Sequence, residues 1–226
     1  MISIIIPAYK AEKYIDECIS SLTAVGVEIL IGVDACETTL NHIINKGLYP
    51  DLGVSLFYFP KNVGPYIIKN TLIDIAKNDN VLFFDADDVM ESETLEKFYS
   101  GIERNDYVKL NYMNFQGKIT KSGQIMNDAI IGVKKDVFNK LNGFYPWRCG
   151  ADTEFGYRLW HNGLKHKTLE GINYFRRLHG ENLTIRKDLG HGSAIRNQYC
   201  NIINNNLRTK TWPNPSSKTI SEYVTY

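Results

Sequence analysis

Val81-Leu82-Phe83-Phe84-Asp85-Ala86-Asp87-Asp88 is a short apolar run that stops on three acids. Four apolar residues bounded by polar ones predict a buried strand. In a parallel sheet, carboxylates that end such a strand stand at its C-terminal edge, where open α/β folds bind ligands. Hard oxygen ligands clustered there suit Mg²⁺ or Mn²⁺ carrying a phosphorylated substrate. The same acids also fit a turn, with a helix start at Ser92 between Glu91 and Glu93, because short polar side chains close turns and cap helices. The pattern on either side of the strand decides how much weight each reading carries.

Upstream, residues 2–6 predict a first buried strand, then a loop and a helix with Ile15, Cys18, Ile19 and Leu22 on one face. Residues 28–33 predict a second strand ending at Asp34, residues 40–44 a helical stretch, and residues 54–59 a third strand. Asn62-Val63-Gly64-Pro65 marks a turn with Pro at a helix start, and that helix turns Ile67, Ile68, Thr71, Leu72 and Ile75 inward. Downstream of the acids come a helix over 92–102 and a strand over 107–112. Strands alternating with helices in this way predict an α/β, Rossmann-type domain with a mostly parallel central sheet flanked by helices.

The second half is organised differently. A strand over 129–133, a short helix over 136–141 and an aromatic-rich turn over 143–147 precede a helix over 152–161 and a last helix over 193–206. The tail with Pro213 and Pro215 is expected to be loose or to pack on the surface. The expected organisation is one domain over 1–190, with halves 1–112 and 113–190, and a C-terminal helix and tail over 191–226.

Composition narrows the class. With 226 residues, 43% hydrophobic and 23% charged, the chain can bury one sizeable core. A formal charge of +1 gives no reason to expect a nucleic-acid partner, although Arg176, Arg177 and Arg186 make a local basic patch. Cys18, Cys36, Cys149 and Cys200 form neither a CxxC pair nor a zinc pattern, so reduced thiols are expected. The apolar N-terminal run lacks a basic flank and is cut by Pro7, unlike a signal peptide. No run approaches the roughly 18 apolar residues of a membrane span. A cytoplasmic location is therefore expected, with contact at a membrane surface left open.

The landmarks occur in a telling order: Ile4-Ile5-Ile6-Pro7-Ala8-Tyr9, Asp34, Asn62-Val63-Gly64, Lys69-Asn70, Asp85-Ala86-Asp87-Asp88, then Gly150-Ala151-Asp152-Thr153-Glu154-Phe155. That series resembles the family 2 glycosyltransferases of the GT-A fold over roughly the first 185 residues. The resemblance implies a site for a nucleotide-sugar donor and a saccharide or glycoconjugate acceptor. It implies that Pro7, Ala8 and Tyr9 wrap the nucleotide and that Asp34 accepts from its base. An ionised carboxylate only accepts, which suits the N–H of uracil and hence a UDP-sugar. Where the family commonly has a further acid, Ala35 and Cys36 stand. Asn62 and Gly64 join the donor site by the same resemblance. Lys69 would neutralise diphosphate charge; read by itself, it also fits a solvated lysine on a helix face.

By the same likeness, Asp85-Ala86-Asp87 matches the DXD motif that holds Mn²⁺ or Mg²⁺ against the two phosphates. Asp87 would be the closest ligand, with Asp85 nearer the ribose or a metal-bound water. His179 falls in the late basic segment that returns a side chain to the diphosphate or metal in related enzymes. Asp152 aligns with the second acid of a Glu-Asp motif whose first acid is here Ala151, and would be the general base of an inverting transfer. It also fits the N-cap of the helix that follows. Tyr145 and Trp147 form an aromatic lip that could stack on a sugar face, or else core rings.

Two other classes remain in view. Asp85-x-Asp87-x-Val89 fits the nucleophile loop of haloacid-dehalogenase-like phosphatases. Those proteins, however, place it after the first strand and add a Gly-Asp pair, a dipeptide this sequence lacks. Ala35 and Ala151 also suit a catalytically silent nucleotide-sugar-binding module, against which stands the presence of both Asp87 and Asp152.

Overall fold

β1 (Ile2–Ala8) is buried at every position except Pro7. Continuous rather than alternating burial belongs to a strand covered on both faces. The structure, a computed structural model, describes residues 1–24, 26–47, 53–120 and 123–226. β2 (Val27–Asp34), β3 (Val54–Phe59) and β4 (Asn80–Phe83) join β1 in parallel, in the order β3-β2-β1-β4. The helices α1 (Ile15–Leu22), α2 (Glu37–Lys46) and α3 (Pro65–Ile75) connect these strands. Ile2, Ile4 and Ile6 pack with α1 on one face, while Ile5 packs with Ile68 and Leu72 of α3 on the other. Gly32 lets α3 approach the sheet closely: a Cβ there would stand 2.3 Å from Ile68 Cγ2.

Beyond β4 the sheet changes character. After β5 (Val89–Met90) and α4 (Thr94–Ile102) come β6 (Tyr107–Phe115) and β7 (Ile125–Lys134). β7 runs antiparallel to both β4 and β6. Then follow α5 (Lys135–Lys140), α6 (Ala151–His161), β8 (His166–Thr168), β9 (Tyr174–Arg177), α7 (Ala194–Thr209) and β10 (Val224–Thr225). β8 and β9 are parallel to β6, and β5 is antiparallel to β9. The central sheet is thus mixed: its first four strands are parallel as expected, and antiparallel pairings enter with β7, β5 and β10.

One local expectation is corrected. α4 begins at Thr94, and Ser92 does not cap it: its hydroxyl donates to Glu91, while the Thr94 hydroxyl donates to the Asn173 carbonyl at 2.7 Å. Of the two alternatives for the tail, the structure takes the packed one. Trp212 stacks on Tyr157 at 4.9 Å, Asn70 Nδ2 donates to the Thr219 carbonyl at 3.2 Å, and β10 pairs antiparallel with β3. Ser193 does cap α7, accepting the Arg196 N–H at 3.2 Å.

Candidate active site

The C-terminal ends of β1, β2 and β4 open onto one cleft of about 500 Å³. Pro7, Ala8 and Tyr9 form its rim, Asp34, Asn62 and Gly64 one end, Lys69 and residues 85–88 its floor, and Asp152 the facing wall.

At the end of β2, Asp34 is only 4% exposed. Its Oδ1 accepts the Val63 N–H at 2.7 Å and its Oδ2 the Gly64 N–H at 3.0 Å. Burial pushes this carboxyl up, opposed by those two amides and by the nearby Arg148. The carboxylate therefore clamps the 62–64 turn, and Gly64, at φ 89°, delivers the chain into α3 with Pro65 as its first residue. Arg148 closes over the same turn, donating to the Asn62 carbonyl at 3.1 Å and to its side-chain oxygen. Nothing in the sequence singles out Arg148, an arginine in an aromatic turn.

Lys69 is not a solvated surface lysine. It is 7% exposed, with Nζ 3.4 Å from Asp85 Oδ1 and lying over the rings of Tyr66 and Phe83 at 5.6 and 5.9 Å. The three acids then divide. Asp88 turns inward at 3% exposure and accepts the Arg177 N–H at 2.9 Å. Burial first, then the charges of Asp87 and Asp85, raise its carboxyl well above the ordinary range. Asp85 and Asp87 line the cleft. Asp87 Oδ2 accepts from Asn182 Nδ2 at 3.1 Å and lies 2.8 Å from His179 Nε2, whose ring packs on Tyr14 at 4.6 Å. The backbone does close a turn here, Asp88 N–H to the Asp85 carbonyl at 3.2 Å, so the turn reading and the cleft reading coexist.

Among the described residues, no three His, Cys, Asp or Glu side chains gather as a ready-made metal cage. Two cleft carboxylates beside an imidazole still form a donor set compatible with Mn²⁺ or Mg²⁺. Such ions use one or two carboxylates and take the rest of their shell from substrate phosphate and water.

On the facing wall, the N-cap of α6 is Gly150, at φ 79°, and Asp152 lies two residues further on. The N-cap expectation for Asp152 is therefore corrected. Asp152 Oδ1 accepts the Tyr66 hydroxyl at 2.9 Å and the Thr153 N–H at 2.8 Å, and Tyr66 in turn accepts the Gly150 N–H at 3.1 Å. Tyr66 was not expected here, since an aromatic residue in the first turn of a helix reads as core.

Tyr145 and Trp147 do not form an aromatic lip. Trp147 is 9% exposed, stacked on Tyr199 of α7 at 4.4 Å and on Tyr145 at 5.3 Å. The Tyr145 hydroxyl donates to the Pro213 carbonyl at 3.0 Å. Stacking buries more apolar ring surface than a lip would, so both rings anchor α7 and the tail rather than the cleft. The basic patch is likewise partly neutralised: Arg186 pairs with Asp188 and Arg177 with Glu17, while Arg177 Nε donates to the Asp87 backbone carbonyl at 2.9 Å. The four cysteines are free thiols. No helix among the described residues is long and apolar enough to cross a membrane.

A mixed α/β sheet with acids at the end of its fourth strand and a cleft at its C-terminal edge is the arrangement in which open α/β folds bind ligands. The chain belongs to glycosyl transferase family 2, which it matches over residues 3–200. An uncharacterized glycosyltransferase of Haemophilus influenzae is 32% identical over 111 residues, 48% of this chain and 44% of that protein. The poly(ribitol-phosphate) beta-glucosyltransferase of Bacillus spizizenii is 30% identical over 149 residues, 62% of this chain and 22% of that protein. This chain thus spans less than half the length of these curated relatives. Among solved structures, residues 1–349 of S. aureus TarS with UDP-GlcNAc match with a TM-score of 0.67 at 20% identity, over 80% of this chain and 59% of that one. The Pyrobaculum calidifontis mannosyltransferase PcManGT, with GDP-Man and Mn²⁺, matches with a TM-score of 0.66 at 16% identity, over 80% and 58%. At those identities the likeness speaks for the GT-A fold.

Proposed function

We propose that this chain transfers a sugar, with inversion, from a UDP-sugar to a hydroxyl of a saccharide or glycoconjugate, with a divalent metal ion. The observation that carries the reading is the pairing across one cleft of the Asp85/Asp87 acids with Asp152. Asp152 Oδ1 is occupied by two donors, whereas its Oδ2 has no hydrogen-bond partner among the described residues.

In this reading the acceptor hydroxyl approaches Asp152, and its proton passes to Oδ2 as the oxygen attacks the anomeric carbon. The new C–O bond forms as the bond to the diphosphate breaks on the opposite face, and the electron pair leaves with the diphosphate. A divalent ion held by Asp87, with Asp85 and His179 beside it and the rest of its shell from phosphate and water, would supply a Lewis acid for that departing charge. Lys69 adds a buried cation beside Asp85, and charge-assisted contacts of this kind hold phosphate oxygens. Each Asp34 oxygen takes one amide donor, which leaves lone pairs to accept from a base N–H. Uridine as the nucleotide is supported by that acceptor and by the UDP-GlcNAc and UDP complexes of TarS. A cytoplasmic location belongs to the same proposal.

Calorimetric titration with UDP, GDP and their sugar derivatives, with Mn²⁺ or with chelator, tests the donor side. Mn²⁺-dependent binding of a uridine nucleotide is expected; binding of none of them removes the basis for the reading. Release of UDP from the bound donor then tests Asp152. Asp152→Asn is expected to cut the rate by about 10²–10⁴ with donor affinity kept. An unchanged rate would exclude Asp152 as base.

A further inference from the structure

α3 carries two side chains, three residues apart, that reach the floor and the facing wall of the cleft. Lys69 reaches Asp85, and Tyr66 reaches Asp152. Residues three apart share one helix face, so the first turns of α3 stand between the acids at the end of β4 and the start of α6. That turn is itself fixed, because Asp34 holds the Gly64 N–H at its N-terminus.

The Tyr66 ring is buried, packs on Phe144 at a centroid distance of 5.3 Å, and has little freedom to swing. Its hydroxyl is saturated in both senses: it accepts the Gly150 N–H at 3.1 Å and donates to Asp152 Oδ1 at 2.9 Å. Accepting from Gly150 obliges the hydroxyl proton to point away, toward the carboxylate. Gly150 is the left-handed residue from which α6 starts, so one phenol ties together the turn that launches the helix and the carboxylate in its first turn.

We propose that Tyr66 is a positioning residue for the transfer reaction, orienting Asp152 through Oδ1 so that Oδ2 is the oxygen that faces the acceptor and takes its proton. The proposal rests on the reading of Asp152 as the base. Without the phenol, Oδ1 keeps only the Thr153 N–H, and the carboxylate can rotate about its terminal torsion, which is soft and roughly two-fold. Misplacing a catalytic group by a fraction of its reach is enough to cost tenfold or more in rate. Donor binding is served by other side chains, so its affinity should not follow.

The test compares the parent, Tyr66→Phe and Asp152→Asn by steady-state release of UDP from UDP-GlcNAc and UDP-glucose with Mn²⁺, alongside donor Kd and Tm. Phenylalanine keeps the ring and removes only the hydroxyl. The expected result is a kcat at least about tenfold lower in Tyr66→Phe, with donor KM and Kd unchanged within about twofold. An unchanged kcat in Tyr66→Phe, while Asp152→Asn is inactive, overturns the positioning role and leaves the base in place. KM rising together with a collapse in Tm, with kcat following only in proportion to folded protein, makes the phenol a structural residue and also overturns it. Parent-like turnover in Asp152→Asn would instead overturn the reading of the base, and the role of Tyr66 with it.

Discussion

Arg158→Met should be among the most damaging single substitutions in this domain. Arg158 and Glu154, one turn apart on α6, are both 0% exposed. Nε stands 2.7 and 2.9 Å from the two Glu154 oxygens, Nη1 donates to the Leu141 carbonyl at 2.7 Å, and Nη2 to the Gly143 carbonyl at 2.6 Å. The guanidinium also lies over the rings of Phe155 and Tyr145. Burial raises the Glu154 carboxyl, and the Arg158 charge and hydrogen bonds oppose that rise. Methionine fills much of the volume but abandons a buried carboxylate and two carbonyls. Breaking one partner of a buried pair costs about 3–5 kcal/mol, against a total of about 5–15 kcal/mol for an ordinary domain. For a chain of this length that corresponds to a Tm lower by roughly 6–20 °C. Urea unfolding followed by tryptophan fluorescence measures it. Replacing both residues, Glu154→Leu with Arg158→Met, removes the stranded charge and should recover about half the loss, while the two carbonyls remain without donors. A loss below about 1 kcal/mol in the single variant, or no recovery in the double, would refute the view that the pair ties the 141–143 turn to α6.

Asp87→Ala removes the acceptor shared by His179 and Asn182. Calorimetry should find Mn²⁺-dependent donor binding lost and the residual affinity insensitive to chelator; equal affinity in the variant and the parent would discard the metal assignment. Gly143→Ala forces a side chain at φ 64° and puts its Cβ 2.6 Å from Asn70 Oδ1 and 2.8 Å from Phe138 Cε1. A loss of about 1–3 kcal/mol is expected, read as a lower urea midpoint, with an unchanged midpoint as the contrary result.

The parallel half of the sheet was legible because strands buried on both faces leave continuous apolar runs, as residues 2–6 and 81–84 do. β5, β8 and β10 were not: two or three residues carry no periodicity, and each exists only because a longer strand offers it an edge. Asp85, Asp87, His179 and Asp152 were found by type and order, and the fold brings them to one cleft. Lys69 and Tyr145 show what is missing from a linear reading. A lysine on an amphipathic helix looks solvated until an acid arrives from another strand, and an aromatic turn looks like a lip until α7 and the tail cover it. Glu154 and Arg158 stand at helical i, i+4 spacing, and only the tertiary fold makes them interior.

The pairing of β10 with β3 has a consequence during synthesis. β3 forms the outer side of the parallel strands and, among the described residues, is paired on its free side only by Val224 and Thr225. Until those residues leave the ribosome, a nascent chain whose first half has already folded presents the β3 edge to its neighbours, and an open edge is a template for another polypeptide. The same late segment supplies the Thr219 carbonyl to Asn70, a bond spanning 149 positions. Ribosome spacing and chaperone capture in that interval should therefore bear on yield more strongly than on the stability of the finished molecule.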